Sequence, residues 1–199
     1  DDPQLAAQEG TPAAVASQDA PADSGAMFTP SAPGAFPVPP TATPYVRREP
    51  SGPRSISIPK LGEQFSLPVP IVDVPIANRQ WDVSGLGYYV GWLEGTTWLE
   101  SDWGNTVLAA HVQLGTNNPG PFWGLGDLVP GDEIIVSEGE QDFRFQVQSV
   151  RKVDPSDWTV TAPTNGPTLT LITCTEWDRS RGVFSQRMVI QAVPLMTSG

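Results

Sequence analysis

The chain has one thiol and one imidazole, Cys174 and His111. If a thiol works with an imidazole partner here, these two are the pair, because no other candidates exist. Cys174 ends the run "TLTLITC" and His111 ends "NTVLAAH". Both therefore sit where a β-like run gives way to a loop, the place where a sheet holds reactive groups at its rim. Arg187 opens the next run, "RMVIQAV". If the runs on either side of residues 175–186 pair as an antiparallel hairpin, Cys174 and Arg187 are cross-strand neighbours, roughly 5 Å apart at their Cα atoms. In such a set the thiolate is the nucleophile, the imidazole favours the thiolate and later protonates a leaving amine, and the guanidinium stabilises an acyl oxyanion or holds the substrate backbone. Arg179 and Arg181 compete for the last role, and the hairpin ranks Arg187 above them. The bland alternative for a lone cysteine is a small buried hydrophobe. Protonation also sets a limit: with ordinary thiol and imidazole pKa values near 8.5 and 6.5, about one molecule in a hundred carries thiolate and imidazolium together at pH 7.5.

The elements that must position these groups read as short strands broken by turn residues, the pattern of an all-β barrel or sandwich. Strands are expected near 55–59, 69–76, 87–92, 105–110, 132–137, 142–153, 168–173 and 187–193. In "FRFQVQSV" the alternation puts Phe143, Phe145 and Val147 on one face. Phe122, Leu125 and Leu128 recur at three-residue spacing and predict a short helical turn within 121–128. A different composition precedes residue 54: residues 1–53 hold eleven of the 22 prolines and none of the seven tryptophans. Such a segment buries too little apolar area to offset its ordering entropy and reads as a disordered linker. Phe28, Phe36 and Tyr45 are the residues by which it could dock on the folded part.

Net charge is −11, so phosphate backbones are repelled and nucleic acid is not an expected partner. No run of about 18 apolar residues occurs, so nothing here reads as a membrane-spanning helix. The chain opens Asp1-Asp2, and a signal or membrane anchor upstream is expected. One Cys and one His lying 63 residues apart (174 minus 111) do not supply a structural zinc site, and no metal or cofactor is expected. No G-x-S-x-G elbow, P-loop or dinucleotide fingerprint is present. An L,D-transpeptidase would need His and Cys close together in a Gly-rich motif, which is absent.

Residues 54–194 resemble the sortases, bacterial cell-surface cysteine transpeptidases. "TLITC" at 170–174 matches the family's TLxTC motif, Gly104 with "NTVLAAHV" matches its GN-x-VLA-x-H segment, and "RMVIQA" at 187–192 matches its terminal arginine strand. "SISIPKLG" and "GDEIIV" also fit, in family order. The resemblance implies a closed eight-stranded β-barrel with one or two short helices over 54–199, with 1–53 as extracytoplasmic linker. It implies Cys174 as nucleophile, His111 as acid/base partner and Arg187 as oxyanion or substrate-binding group. Thr173, Thr175 (through its backbone N–H) and Trp177 are the expected substrate contacts, and the loop 175–186 the part that shapes the groove. The implied reaction is cleavage of an LPxTG-like sorting signal through a thioacyl enzyme, resolved by an amine from a cell-wall precursor or a pilin lysine. The implied partners are sorting-signal-bearing surface proteins, with the chain a monomer anchored outside the cytoplasm by a segment not in the sequence. The competing reading is a catalytically silent β-barrel that binds cell-surface peptides.

Overall fold

The computed structural model describes residues 35–37, 52–65, 67–99 and 103–195. Eight strands form a closed barrel: β1 (Arg54–Ser57), β2 (Val69–Val74), β3 (Val90–Leu93), β4 (Asn105–Ala109), β5 (Glu133–Glu138), β6 (Gln141–Val153), β7 (Thr168–Asp178) and β8 (Val183–Pro194). Around the barrel the order is β5-β6-β8-β7-β4-β3-β2-β1, and β1 pairs with β5 to close it. Two neighbouring pairs are parallel, β2 with β3 and β4 with β7; the other neighbours are antiparallel. The fold is the expected all-β barrel.

The expected helical content is present only as 3₁₀ turns among the described residues: Pro59–Phe65, broken at Gly62, then Leu125–Asp127 and Trp158–Thr161. Asp157 caps the last of these, its carboxylate accepting from Thr159 N. Short strands that the apolar pattern did not signal also occur. Ile76–Ala77 and Gln80–Asp82 form a hairpin whose free edge takes Ala35–Pro37 as a third strand. Gln113–Gly115 and Asn118–Pro119 form a second small hairpin just after His111. The positions Phe28 and Tyr45 lie outside the described residues.

Two apolar layers follow from strand alternation. Side chains pointing inward, among them Ile56, Trp92, Leu108, Phe145, Leu171 and Ile190, fill the barrel. Outward-pointing residues of the neighbouring strands β3, β4, β7 and β8 do not face water. Leu93, Val107, Ala109, Ile172 and Val189 form a second core with Trp81, Val83, Leu86 and Val160. Two connections cover this outer face: residues 75–89, which join parallel strands β2 and β3 and so must cross over, and residues 154–167, between β6 and β7. Strands buried on both faces read as continuous apolar runs, which is why "NTVLA" is buried at every position.

The barrel closes on an unusual charged seam. Arg54 lies opposite Glu138 in the β1–β5 register and donates to the Asp73 carboxylate at 2.7 Å. Its guanidinium stands 5.0 Å from the Trp98 ring centroid and 5.6 Å from that of Trp92, while Trp98 Nε1 donates to Glu138 Oε2 at 3.0 Å.

Candidate active site

Register brings two of the three chemical residues together, and the third follows the end of a neighbouring strand. In the β7–β8 ladder Cys174 is the direct partner of Arg187, as a hairpin requires. In the parallel β4–β7 ladder Ile172 faces Ala109, and the Ala110 amide donates to the Ile172 carbonyl at 3.2 Å. Two residues beyond that last pair the chain, having left β4 at Ala109, reaches His111, and β7 reaches Cys174. Ile172 and Val189 share the outer core, so Cys174 and Arg187, each two residues further along its strand, lie on that same outer face, and His111 follows two residues after Ala109 of that core. The site is therefore a rim groove between the two covering connections, not a cavity inside the barrel.

The two motif residues that precede His111 have structural reasons. Gly104 adopts φ 101°, and a Cβ there would meet the Thr97 side chain at 2.3 Å, so only glycine fits. Asn105 is 2% exposed and ties the second covering segment to the sheet. Its Nδ2 donates to the Val160 and Ala162 carbonyls at 3.0 and 3.1 Å, and its Oδ1 accepts from the Thr170 hydroxyl at 2.6 Å. The chain after His111 is held as closely: the His111 carbonyl accepts from Phe122 N at 3.0 Å, and Gly120 N donates to the Val112 carbonyl at 2.9 Å.

The His111 ring is oriented by the first covering segment. Nε2 lies 3.3 Å from the Ser84 carbonyl. A carbonyl only accepts, so this contact puts the proton on Nε2 and leaves Nδ1 as the acceptor nitrogen. Burial pushes the Cys174 thiol above its usual pKa, and the attraction of the Arg187 guanidinium offsets part of that shift. Arg187 itself is 6% exposed. Its partner on the far side is Val153, and Asp154 follows directly. Hydrogen bonds from the Ser156 hydroxyl and amide, with the Arg187 charge as a smaller contribution, hold the Asp154 carboxyl below the usual carboxylate range. Ser84 and Asp154 border this group and were not singled out from sequence, since neither belongs to a spacing pattern that marks a site.

Of the expected substrate contacts, Thr175 is half-buried next to Cys174 and Trp177 is 50% exposed. Thr173 is different. It points to the barrel interior, is 2% exposed, and donates its hydroxyl to the Ala110 carbonyl at 2.8 Å. That takes its side chain out of the groove; it braces the β4–β7 junction behind His111. The expected twelve-residue loop 175–186 is also mostly strand. β7 and β8 continue past the rim as a two-stranded ribbon to Asp178 and Val183, with Trp177 and Phe184 as cross-strand partners whose rings meet edge to face at 4.9 Å. Only residues 179–182 turn, so Arg179 and Arg181 lie roughly 13 Å beyond Cys174 along the ribbon. Glu176 within the ribbon has φ 57° and pairs with Lys152. Among the described residues, no group of three or more His, Cys, Asp or Glu side chains is placed to hold a metal ion.

This eight-stranded barrel has relatives of known structure. The family model described as the sortase domain matches residues 56–195, and the chain belongs to the sortase family. Its fold is similar to that of a lid mutant of sortase A from Corynebacterium diphtheriae, at 25% identity and TM-score 0.58, covering 76% of this chain and 74% of that one. It is also similar to sortase C-1 from Actinomyces oris, at 26% identity and TM-score 0.56, covering 72% and 73% of the two chains. A third is sortase C1 from Streptococcus agalactiae, at 25% identity and TM-score 0.58, covering 75% and 69%. These relatives span classes A and C, so they do not select a subclass. No curated protein matches the chain. As a sortase, the chain is a transpeptidase of the bacterial cell-surface type that acts on sorting signals of surface proteins.

Proposed function

We propose that Cys174 cleaves an LPxTG-like sorting signal and passes its acyl part to an amine. The observation that carries this reading is the cross-strand pairing of Cys174 with Arg187 beside the strand end that leads into His111. The Cys174 sulfur, having given its proton to His111 Nδ1, attacks the scissile carbonyl carbon. Negative charge develops on the carbonyl oxygen, on the side where Arg187 and the Thr175 N–H can stabilise it. The C–N bond breaks as His111 returns the proton to the leaving amine, and a thioester to Cys174 remains. A second amine then attacks, loses a proton to His111, and displaces the sulfur; when no amine is present water does the same, and the reaction is hydrolysis.

Trp177, half exposed and edge to face with the partly buried Phe184, offers an aromatic surface to an apolar side chain of the signal. The segment 1–53 serves as a spacer between the catalytic domain, 54–199, and a membrane anchor upstream, although its Ala35–Pro37 stretch pairs with Gln80–Asp82 of that domain. No described helix is long and apolar enough to cross a membrane. The test is intact-mass spectrometry of the protein mixed with a panel of LPxTG-like peptides, with Cys174→Ala as control. Adducts on the wild type alone, of mass equal to the acyl fragment, support the reading. An unmodified thiol across the panel, buried and inert to alkylation, would favour the silent peptide-binding barrel.

A further inference from the structure

On the other side of β4 lies β3. In the β3–β4 ladder Gly91 faces Ala109 and Trp92 faces Leu108, and extending that register two residues past the strand ends would set Tyr89 across from His111. The covering segment closes on the imidazole at the same place through the Ser84 carbonyl. Its turn is fixed by the buried Leu86, whose carbonyl accepts from Tyr89 N at 3.0 Å. Yet Tyr88 and Tyr89, between the buried Leu86 and Val90, are 44% and 50% exposed. Two phenol rings thus stand in solvent at the His111 end of the groove.

We infer that Asp82, Tyr88 and Tyr89 form the subsite for the incoming amine, and that it takes a primary amine arriving as an ammonium ion on a flexible chain. The inference rests on the transpeptidase reading. In the tetrahedral intermediate the oxygen is drawn toward Arg187, and the nitrogen must lie within hydrogen-bond reach of His111, on the other side of the sulfur. The leaving amine departs on that side, and its replacement enters there. A chain attached to the entering nitrogen therefore runs past His111 onto the β3 flank, over Tyr88 and Tyr89. The charge of this flank is opposite to that at the Arg187 end. Hydrogen bonds from Ser84, including its amide at 2.9 Å, hold the Asp82 carboxyl below its usual range, so it is ionised at neutral pH. Asp82 is tied to this flank through Ser84, from whose amide it accepts and whose carbonyl meets the imidazole; a carboxylate there attracts an ammonium group, which exposed phenol rings hold by their negative faces. The ammonium gives up its proton to solvent or His111 before it attacks.

The test separates acylation from transfer. Wild type, Tyr88→Ala, Tyr89→Ala and Asp82→Asn are acylated with a Leu-Pro-Glu-Thr aryl thioester. The thioacyl enzyme is then partitioned between water and two acceptors, Nα-acetyl-lysinamide, which is cationic, and hydroxylamine, which is small and uncharged at neutral pH. The expected result is a transfer-to-hydrolysis ratio for the lysinamide lowered about five- to tenfold in Tyr89→Ala and Asp82→Asn, with the hydroxylamine ratio unchanged. Ratios within about twofold of wild type for both acceptors would overturn the inference. So would an equal fall for both, which would place these residues behind His111 rather than under the acceptor. Failure of the thioester to acylate wild-type Cys174 would overturn the transpeptidase reading and the inference with it.

Discussion

Gly120→Ala is a one-methyl perturbation aimed at His111 without touching it. A Cβ at residue 120 would stand 2.3 Å from the His111 carbonyl oxygen, 2.8 Å from its carbonyl carbon and 3.0 Å from Gln113 N. All three are backbone atoms, so no side chain can turn aside. Cβ atoms essentially never approach other atoms closer than 3.0 Å, so something must move by at least 0.7 Å (3.0 minus 2.3). Residues 120 and 111 are held together by the hydrogen bonds Gly120 N to Val112 O and Phe122 N to His111 O. The displacement therefore falls on the strand end that carries the imidazole. Overpacking of this kind costs about 1–3 kcal/mol, which leaves the barrel folded. A shift near 1 Å of a group that must exchange protons with sulfur costs about a hundredfold in rate. The assay is acylation of Cys174 by an aryl thioester, followed by mass, beside thermal unfolding of the same sample. A variant that melts within about 8 °C of wild type but acylates about a hundredfold more slowly is expected. Acylation within about twofold of wild type would refute the argument that the Gly120 contact sets the position of His111.

Four further outcomes are expected. Because burial raises the Cys174 pKa and Arg187 lowers it in part, alkylation of Cys174 by iodoacetamide should titrate above the ordinary thiol value of about 8.5, and Arg187→Gln should move the inflection higher still; an inflection at or below the ordinary value would contradict this. The same shift makes folding stability fall as pH rises above that ordinary value, since the unfolded chain loses the thiol proton first, and Cys174→Ala should remove this part of the fall in chemical denaturation. Arg54→Met should lower stability by about 2 kcal/mol, or Tm by about 6 °C, because it removes the cation from between Trp92 and Trp98 and leaves the Asp73 and Glu138 carboxylates without it; calorimetry showing no change would mean that the seam contributes nothing. Thr173→Val keeps the shape and removes the donor to the Ala110 carbonyl, and should cost about 1–2 kcal/mol in denaturant titration, whereas an unchanged midpoint would mean that water replaces the hydroxyl.

The pairing of Cys174 with Arg187 was legible because hairpin register follows from strand order, and the eight barrel strands were legible because their apolar runs are separated by turn residues. The boundaries were harder. "TEWD" and "VFSQ" are polar and read as loop, yet they are the two sides of a ribbon that leaves the barrel, where no face is buried and alternation has nothing to record. Thr173 looked like a groove residue by adjacency to Cys174, but the period of two turns it to the interior, which sequence distance alone hides. The small hairpin at 76–82 and its third strand at 35–37 are held by backbone pairing with little apolar repetition, so no pattern announces them. Ser84 contributes through its carbonyl, a group every residue has, and no sequence signal could have found it.

The most direct measurement is the rate of thioacyl formation on Cys174 in His111→Ala and Arg187→Lys beside the wild-type protein, with melting curves to show that all three fold. If these three residues carry the chemistry together, each variant should lose about a hundredfold or more, the lysine included, since it keeps the charge but not the planar fork. Folded variants that acylate within about tenfold of wild type would contradict the account, and the reaction would have to be assigned to other groups around the sulfur.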